Sequence, residues 1–396
     1  MTNNPKIRLA IVVTHPIQYL APLYRELAKQ MEVEVLFCHR QNAKGQADAG
    51  FGVEFEWDVP LTNGYQYRWL KNISKRPGLG HFFGTNAPEL ADLLSSGCYD
   101  AVWVNGWNHK CYIQALWHGR RNGLPVLCRG DSQLGMTKGF WKRCLKRAIY
   151  PFLLRSYSAH LCVGTRNRRY LRHFGVPEKK LFKMSHFIDT EFFARMAAKA
   201  RSTKERQILR KEWGFTDNTF IFLFVGKFIS KKRPIDLLEA FIKLGAKDYG
   251  KEIGLLFVGD GPLRHALEQM ASKVDNKVAF AGFRNQSELP ACYVTADAIV
   301  LPSEASETWG LVVNEAMACG IPAIVSNAVG CAPDMVEEGV TGFSYPLGDV
   351  RSLEKAMKDS INMSAEKDSV DPLRKVTSEC SVSEAAESLR RALDKI

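Results

Sequence analysis

The apolar residues of this chain fall into short continuous runs separated by amphipathic stretches. In the first half, Ile7–Thr14, Val33–Cys38, Asp100–Asn105, Pro125–Arg129 and Leu161–Gly164 read as buried strands. Between them, Gln18–Gln30 sets Leu20, Leu23 and Leu27 on one helical face, and Asn167–Phe174 is a helical stretch that Gly175 closes. The second half repeats this grammar. Strands are expected at Thr219–Val225, Ile253–Gly259, Val278–Phe280, Ala298–Leu301 and Pro322–Ser326. Helices are expected at Pro234–Lys243, Leu263–Ser272, Ser287–Thr295 and Gly310–Cys319, with a last one from Val382.

Near-continuous apolar strands alternating with helices are the pattern of parallel sheets covered on both faces. With 396 residues the chain is long enough for two such α/β domains. The expected architecture is two Rossmann-like domains, 1–195 and 205–375, with parallel sheets facing across a cleft. The segment 376–396 is expected to be a helix that crosses back to the first domain. The polar stretch Ala197–Gln207 is the expected linker. The segment from about Gln41 to Gly84 is polar, glycine-punctuated and rich in aromatics, and reads as a long elaborated loop carrying a hairpin.

Charge changes the picture. Residues 1–200 hold 29 Lys and Arg against 14 Asp and Glu, whereas residues 201–396 hold 25 against 28. Within the first half, 110–183 holds 17 basic and 2 acidic residues, so one region carries the whole basic excess. That region calls for anionic partners: headgroups, a lipid diphosphate or an acidic glycan. Nucleic acid is not indicated, since no recognised motif for it is present. The run from Phe140 to Arg155 mixes Lys142, Arg143, Lys146 and Arg147 with Trp141, Phe152 and leucines, a composition that suits an interfacial helix. The competing reading is a domain helix with solvated charges. No apolar run is long enough to cross a bilayer, and Leu9–Val13 is too short for a signal-peptide core. A cytoplasmic protein, peripheral on the inner face of a membrane, is the expectation. Ten cysteines without paired or metal-type spacing read as free, buried thiols.

Four strand-to-helix turns of the second half carry candidate chemistry. Val225-Gly226-Lys227, followed by Lys232, puts two cations at a strand's C-terminal end, where open α/β sheets bind ligands. Val258-Gly259-Asp260-Gly261 and Gly282-Phe283-Arg284 are weaker signals of the same kind. The fourth sets Glu307 in a loop and Glu315 within the following helix, with Gly310 and Leu311 at that helix's start. Open N–H groups there favour an anion, and two flanking carboxylates favour hydroxyls. A nucleotide-sugar has both.

In these motifs the chain resembles the retaining glycosyltransferases of family 4, which have the GT-B fold. Gly226-Lys227 with Lys232, the E-x7-E pair Glu307 and Glu315, Thr341-Gly342-Phe343 and Asp349 carry the resemblance. It is strong over about 215–350 and looser before that. It implies an enzyme that moves a sugar from a nucleotide-sugar, a UDP-sugar favoured over a GDP-sugar, to a glycan or lipid-linked acceptor. It implies that Lys227 and Lys232 neutralise the leaving diphosphate and that Glu315 holds the ribose hydroxyls. Glu307 would hold the sugar, Gly310 and Leu311 the phosphate, and Phe283 and Arg284 the base, with Gly226 and Gly259 giving backbone access. There is no DxD sequence, so the lysines and a helix N-terminus are expected to replace a metal, and no cofactor is required. The alternatives are an epimerase or phosphorylase of the same architecture, and a non-enzymatic membrane-docking module.

The first half departs from the family's pattern. Its first turn is Thr14-His15-Pro16-Ile17-Gln18-Tyr19 rather than a pair of glycines, which makes His15 and Gln18 side-chain candidates. Arg129 and Asp131 stand where many relatives carry a histidine; they are read either as facing the reaction centre or as bracing their loop. Trp107 and His109, at another strand end, are acceptor-side candidates. His118 and His173 read as structural.

Overall fold

A computed structural model describes residues 7–40, 55–137, 139–245, 252–273, 277–366 and 371–396. The chain divides into two compact units. The first comprises Met1–Gln41, Pro60–His186 and Val382–Ile396, and the second Asn42–Val59 and Phe187–Ser381.

The first unit is built on seven strands: β1 Arg8–Val13, β2 Glu32–Phe37, β3 Gln66–Trp69, β4 Ala101–Val104, β5 Val126–Cys128, β6 Ala159–Cys162 and β7 Leu181–Lys183. They run parallel in the order β3-β2-β1-β4-β5-β6-β7. Strands β1, β4, β5 and β6 are apolar and almost wholly buried, as strands covered by helices on both faces must be. The helix Val382–Leu393 packs on the helix Ala21–Gln30 and on β6 and β7. Its buried stripe is Ala385, Ala386, Leu389, Ala392 and Leu393, spaced at helical period.

The second unit has six strands: β8 Phe220–Val225, β9 Ile253–Val258, β10 Lys277–Gly282, β11 Ala298–Leu301, β12 Ala323–Ser326 and β13 Gly342–Tyr345. These too are parallel, in the order β10-β9-β8-β11-β12-β13. In each sheet the strand order reverses beside the first strand, between β1 and β4 and between β8 and β11. That point is where open sheets of this kind leave a crevice at their C-terminal edge.

Two local expectations are corrected. Within the stretch read as a loop with a hairpin, Gln66–Trp69 is a parallel edge strand on β2, with the Trp69 ring tilted at 36° against Phe37, centroids 4.9 Å apart. Its polar, exposed residues hide it from a search for apolar runs. Residues 41–54 of that stretch lie outside the described residues. The expected linker is helical, in Thr190–Ser202 and Glu205–Glu212. Phe193, Ala197 and Ala200 make the first of these amphipathic, and Asp189 caps it by accepting from the Phe192 N–H at 2.9 Å. Arg210 anchors the second: its guanidinium is 1% exposed and donates to the carbonyls of Thr295, Thr216, Asp217 and Thr219 and to Asp297.

Candidate functional site

In the second unit, three turns at the C-terminal edge of the sheet are joined through backbone. Gly226 N–H continues the ladder to the Val258 carbonyl at 3.0 Å, and Gly259 N–H donates to the Gly282 carbonyl at 2.8 Å. A Cβ on Gly259 would stand 2.0 Å from the Gly226 carbonyl oxygen, so glycine there is required by the approach of the two turns. Lys227 follows directly and is half-buried. Burial disfavours its charge, as do Lys231 and Lys232, while Glu307 supports it.

Lys232 closes the 3-10 turn Ser230–Lys232 and pairs with the Glu307 carboxylate; both side chains are largely shielded from solvent. Two backbone contacts fix the loop that carries Glu307. Glu304 N–H donates to the Lys231 carbonyl at 2.9 Å, and Gly330 N–H to the Glu307 carbonyl at 3.0 Å. Trp309 Nε1 then donates to Asn314 Oδ1 at 2.8 Å, in full burial, and ties the loop to its helix. Gly310 lies in the left-handed region at φ 99°, and its missing Cβ leaves room for Leu301. It caps the helix Leu311–Ala318 without any side-chain cap.

Glu315 is only 8% exposed. Tyr293, on the helix Leu289–Thr295, donates its hydroxyl to Glu315 Oε2 at 2.6 Å. Burial raises the carboxyl to about 7, and the tyrosine's hydrogen bond works against that rise. The structure thus pairs Lys232 with Glu307, and sets Gly226 and Lys227 after β8 and Glu307, Gly310, Leu311 and Glu315 after β11, the two strands that flank the reversal point. Phe283 and Arg284 follow β10. The Arg284 guanidinium is occupied by the Ala281 carbonyl and Glu288 and lies over the Trp213 ring. Asp349 caps the helix beginning at Val350, accepting from Arg351 and Ser352 N–H. Thr341 holds the Met335 carbonyl at 2.8 Å.

The first unit has its own cavity, of about 250 Å3, at the reversal point between β1 and β4. Thr14, Tyr19, Asn105, His109, Arg129, Asp131 and His186 are among the residues that line it. Arg129 is buried and Asp131 exposed, and the carboxylate's charge supports the guanidinium against the desolvation that lowers its pKa. His109 is 7% exposed, caps the helix Lys110–Arg121, and leaves its Nδ1 without a hydrogen-bond partner among the described residues. His15 binds Thr14 Oγ1 at 2.9 Å beside the cavity, and Gln18 is not among the lining residues. Trp107 lines the cavity but packs into the core, stacked on Tyr170 at an interplanar angle of 10°. Burial lowers His15 to about 4, lowers His109, and drives His186 well below the ordinary range. In each case burial disfavours the charged imidazole, which suits hydroxyl recognition more than anion binding.

The basic helix Phe140–Arg155 buries only Leu154. Trp141 is 82% and Phe152 80% exposed, with Phe140, Leu145 and Ile149 also open to solvent. Lys142, Arg143 and Arg147 are exposed beside them, and Lys146 donates to Thr137 Oγ1. Tyr150, Leu153 and Leu154 pack on the core as in a domain helix, while these other apolar side chains do not. Among the described residues no helix is long and apolar enough to span a membrane, no disulfide forms, and no group of three metal-ligating side chains occurs.

Sequence reasoning missed Tyr293, Asn314, Tyr19 and His186. Tyr293 and Asn314 lie inside helices and look like ordinary positions of amphipathic segments. His186 is an isolated histidine beyond β7, and nothing in its neighbours marks it.

The profile described as "Glycosyl transferases group 1" matches residues 205–373, and that described as "Glycosyl transferase 4-like domain" matches 16–182. The chain is 31% identical over 175 residues to the N-acetyl-alpha-D-glucosaminyl L-malate synthase of Bacillus anthracis, covering 44% of this chain and 42% of that relative. It therefore spans about two-fifths of that relative's length. It is 28% identical to the UDP-Gal:alpha-D-GlcNAc-diphosphoundecaprenol alpha-1,3-galactosyltransferase of Escherichia coli, covering 68% of both chains. Among solved structures, Anabaena HepE in complex with UDP superimposes with a TM-score of 0.71 at 17% identity, covering 98% of this chain and 100% of that one. The lipopolysaccharide outer core galactosyltransferase WaaB gives 0.68 at 15%, covering 98% and 99%. At such identities the likeness is one of fold. Together the two profiles account for most of the chain, which belongs to the family 4-type glycosyltransferases of the GT-B fold.

Proposed function

We propose that this chain is a retaining, metal-independent glycosyltransferase that moves a sugar from a nucleotide-sugar, with a UDP-sugar favoured, to a glycan or lipid-linked acceptor. The observation that carries the reading is the set of turns after β8 and β11, the strands that flank the reversal point. It combines Lys227 and Lys232, the uncapped helix N-terminus at Gly310, and the carboxylates Glu307 and Glu315. Cations and open N–H groups suit a diphosphate, and carboxylates suit the hydroxyls on either side of it. The relatives' names add support: one uses a UDP-sugar and a lipid diphosphate acceptor, and HepE holds UDP.

In the proposed reaction Lys232 leaves Glu307 for the diphosphate, whose negative charge grows as the glycosidic bond breaks. Glu307 then holds the sugar's hydroxyls and stabilises the positive charge developing at the anomeric carbon. The departing phosphate oxygen takes the acceptor's proton on the same face, so no separate base is needed. The cavity of the first unit, with His109 and His186 in its lining, takes the acceptor's hydroxyls, with Arg129 and Asp131 at its wall. The open apolar and basic face of Phe140–Arg155 rests on an anionic membrane, where a lipid-linked acceptor is presented.

A thermal-shift screen with nucleotide-sugars tests this. A ligand at 100 times its Kd stabilises the native state by about 2.7 kcal/mol, which raises Tm by several degrees. UDP-sugars are expected to give the largest rise. No rise with any nucleotide-sugar would overturn the reading.

A further inference from the structure

Residues 55–58 precede β3 in the chain, yet they belong to the second unit and lie on the turn that follows β10. Four contacts with that turn fix them there, and a fifth lies within the segment. Asn285 Nδ2 donates to the Glu56 carbonyl at 2.7 Å. Ser287 N–H donates to the Asp58 carboxylate at 3.2 Å, and the Ser287 hydroxyl donates to the same carboxylate. The Phe55 ring lies against Phe283, with centroids 4.7 Å apart and planes at 42°. Trp57 meets Phe55 edge-on at 4.9 Å. Phe55 and Trp57 are only half-buried by these contacts.

The turn they hold leads into the helix Leu289–Thr295, whose Tyr293 positions Glu315. One short segment therefore braces the start of the helix that orients the ribose-side carboxylate, and adds two aromatic rings beside Phe283. An aromatic surface that is half open, rigidly hydrogen-bonded and next to a nucleotide's expected base is suited to stacking.

We propose that residues 55–58 form a strap that supplies Phe55, with Trp57 behind it, as a wall of the nucleobase site. Base recognition by the second unit is then completed by a segment encoded in the N-terminal half. The proposal rests on the nucleotide reading of the crevice above. It assigns the strap to the base alone, since its contacts lie on the turn from Phe283 to Ser287 and not on Lys232.

Calorimetric titration of wild type, Phe55→Ala, Phe55→Trp, Asp58→Ala and Lys232→Ala with UDP and with inorganic pyrophosphate tests it. Loss of one stacking partner is expected to weaken UDP by about 10-fold in Phe55→Ala. Asp58→Ala weakens UDP less, and Phe55→Trp stays close to wild type. Pyrophosphate, which has no base, binds wild type and all strap variants equally, which also reports that the site is folded. UDP binding unchanged in Phe55→Ala and Asp58→Ala, but lost in Lys232→Ala, overturns the strap and leaves the nucleotide reading standing. An equal loss of UDP and pyrophosphate in Phe55→Ala also overturns it, because the effect is then not on the base. Absence of UDP binding by wild type overturns both.

Discussion

The hydroxyl of Tyr293 lies 2.6 Å from Glu315 Oε2, and both groups are buried in the second unit. A carboxylate in such a place is torn between desolvation, which favours its neutral form, and a donor that favours its charge. Desolvation wins, and the group sits at about 7 instead of in the usual carboxylate range.

The folded protein holds this proton more tightly than the unfolded chain does. The stability it contributes is complete at low pH and is lost as pH rises through about 7. Glu315→Gln should therefore be more stable than wild type at pH 8, by up to about 3 kcal/mol, and closer to it at pH 5. Thermal unfolding at the two pH values checks this. Tyr293→Phe removes the donor and should move the transition to higher pH. Its UDP affinity should be weakened at pH 7 and partly restored by pH 8.5.

The pair of Lys232 with Glu307 makes a second, opposite prediction for its two members. Removing the lysine removes a cation from the proposed diphosphate site, and Lys232→Ala should weaken UDP by about 10-fold or more. Glu307→Gln instead releases the lysine, so UDP should bind at least as tightly as to wild type. Sugar transfer by Glu307→Gln should nevertheless fall by about 100-fold, because the developing positive charge loses its carboxylate. Parallel measurement of UDP affinity and turnover separates the two effects.

Arg210 has a purely structural role. It ties the helix Glu205–Glu212 to three backbone carbonyls before β8, to Thr295 and to Asp297. Arg210→Ala would leave Asp297 and these carbonyls without their donor. A loss of about 3–5 kcal/mol is expected in denaturant unfolding, with Lys unable to restore it because one ammonium cannot reach so many acceptors.

The exposed face of Phe140–Arg155 predicts salt-sensitive binding to anionic vesicles. Neutralising Lys142, Arg143, Lys146 and Arg147 should abolish most of it. Trp141→Ser with Phe152→Ser should weaken the part that survives in high salt. A flotation assay reads both, and equal binding to neutral vesicles would count against the membrane role.

Much of this site was legible in the sequence because its chemistry sits at strand ends. Gly226-Lys227 follows an apolar run, and Glu307 and Glu315 bracket a glycine at a helix start. Such positions are fixed by the local grammar of βα units. What was not legible depends on long-range contacts. The hydroxyl of Tyr293 finds Glu315 only when two helices pack. Residues 55–58 reach a turn more than 200 residues further along the chain, through hydrogen bonds that leave no periodic trace. The edge strand β3 was hidden by its polar residues. The expected linker, 197–207, overlaps the end of one helix and the start of the next, whose exposed faces are dominated by charges.

On the proposed function, the turns after β8 and β11 bind a nucleotide-sugar through lysines and a helix N-terminus without a metal. Equilibrium dialysis of labelled UDP-sugars against wild type, Lys232→Ala and Glu315→Ala in excess EDTA tests it most directly. Saturable binding by wild type in EDTA, weakened about 10-fold or more in each variant, is the predicted result. Binding that disappears from wild type on chelation, or that both variants retain in full, would contradict it.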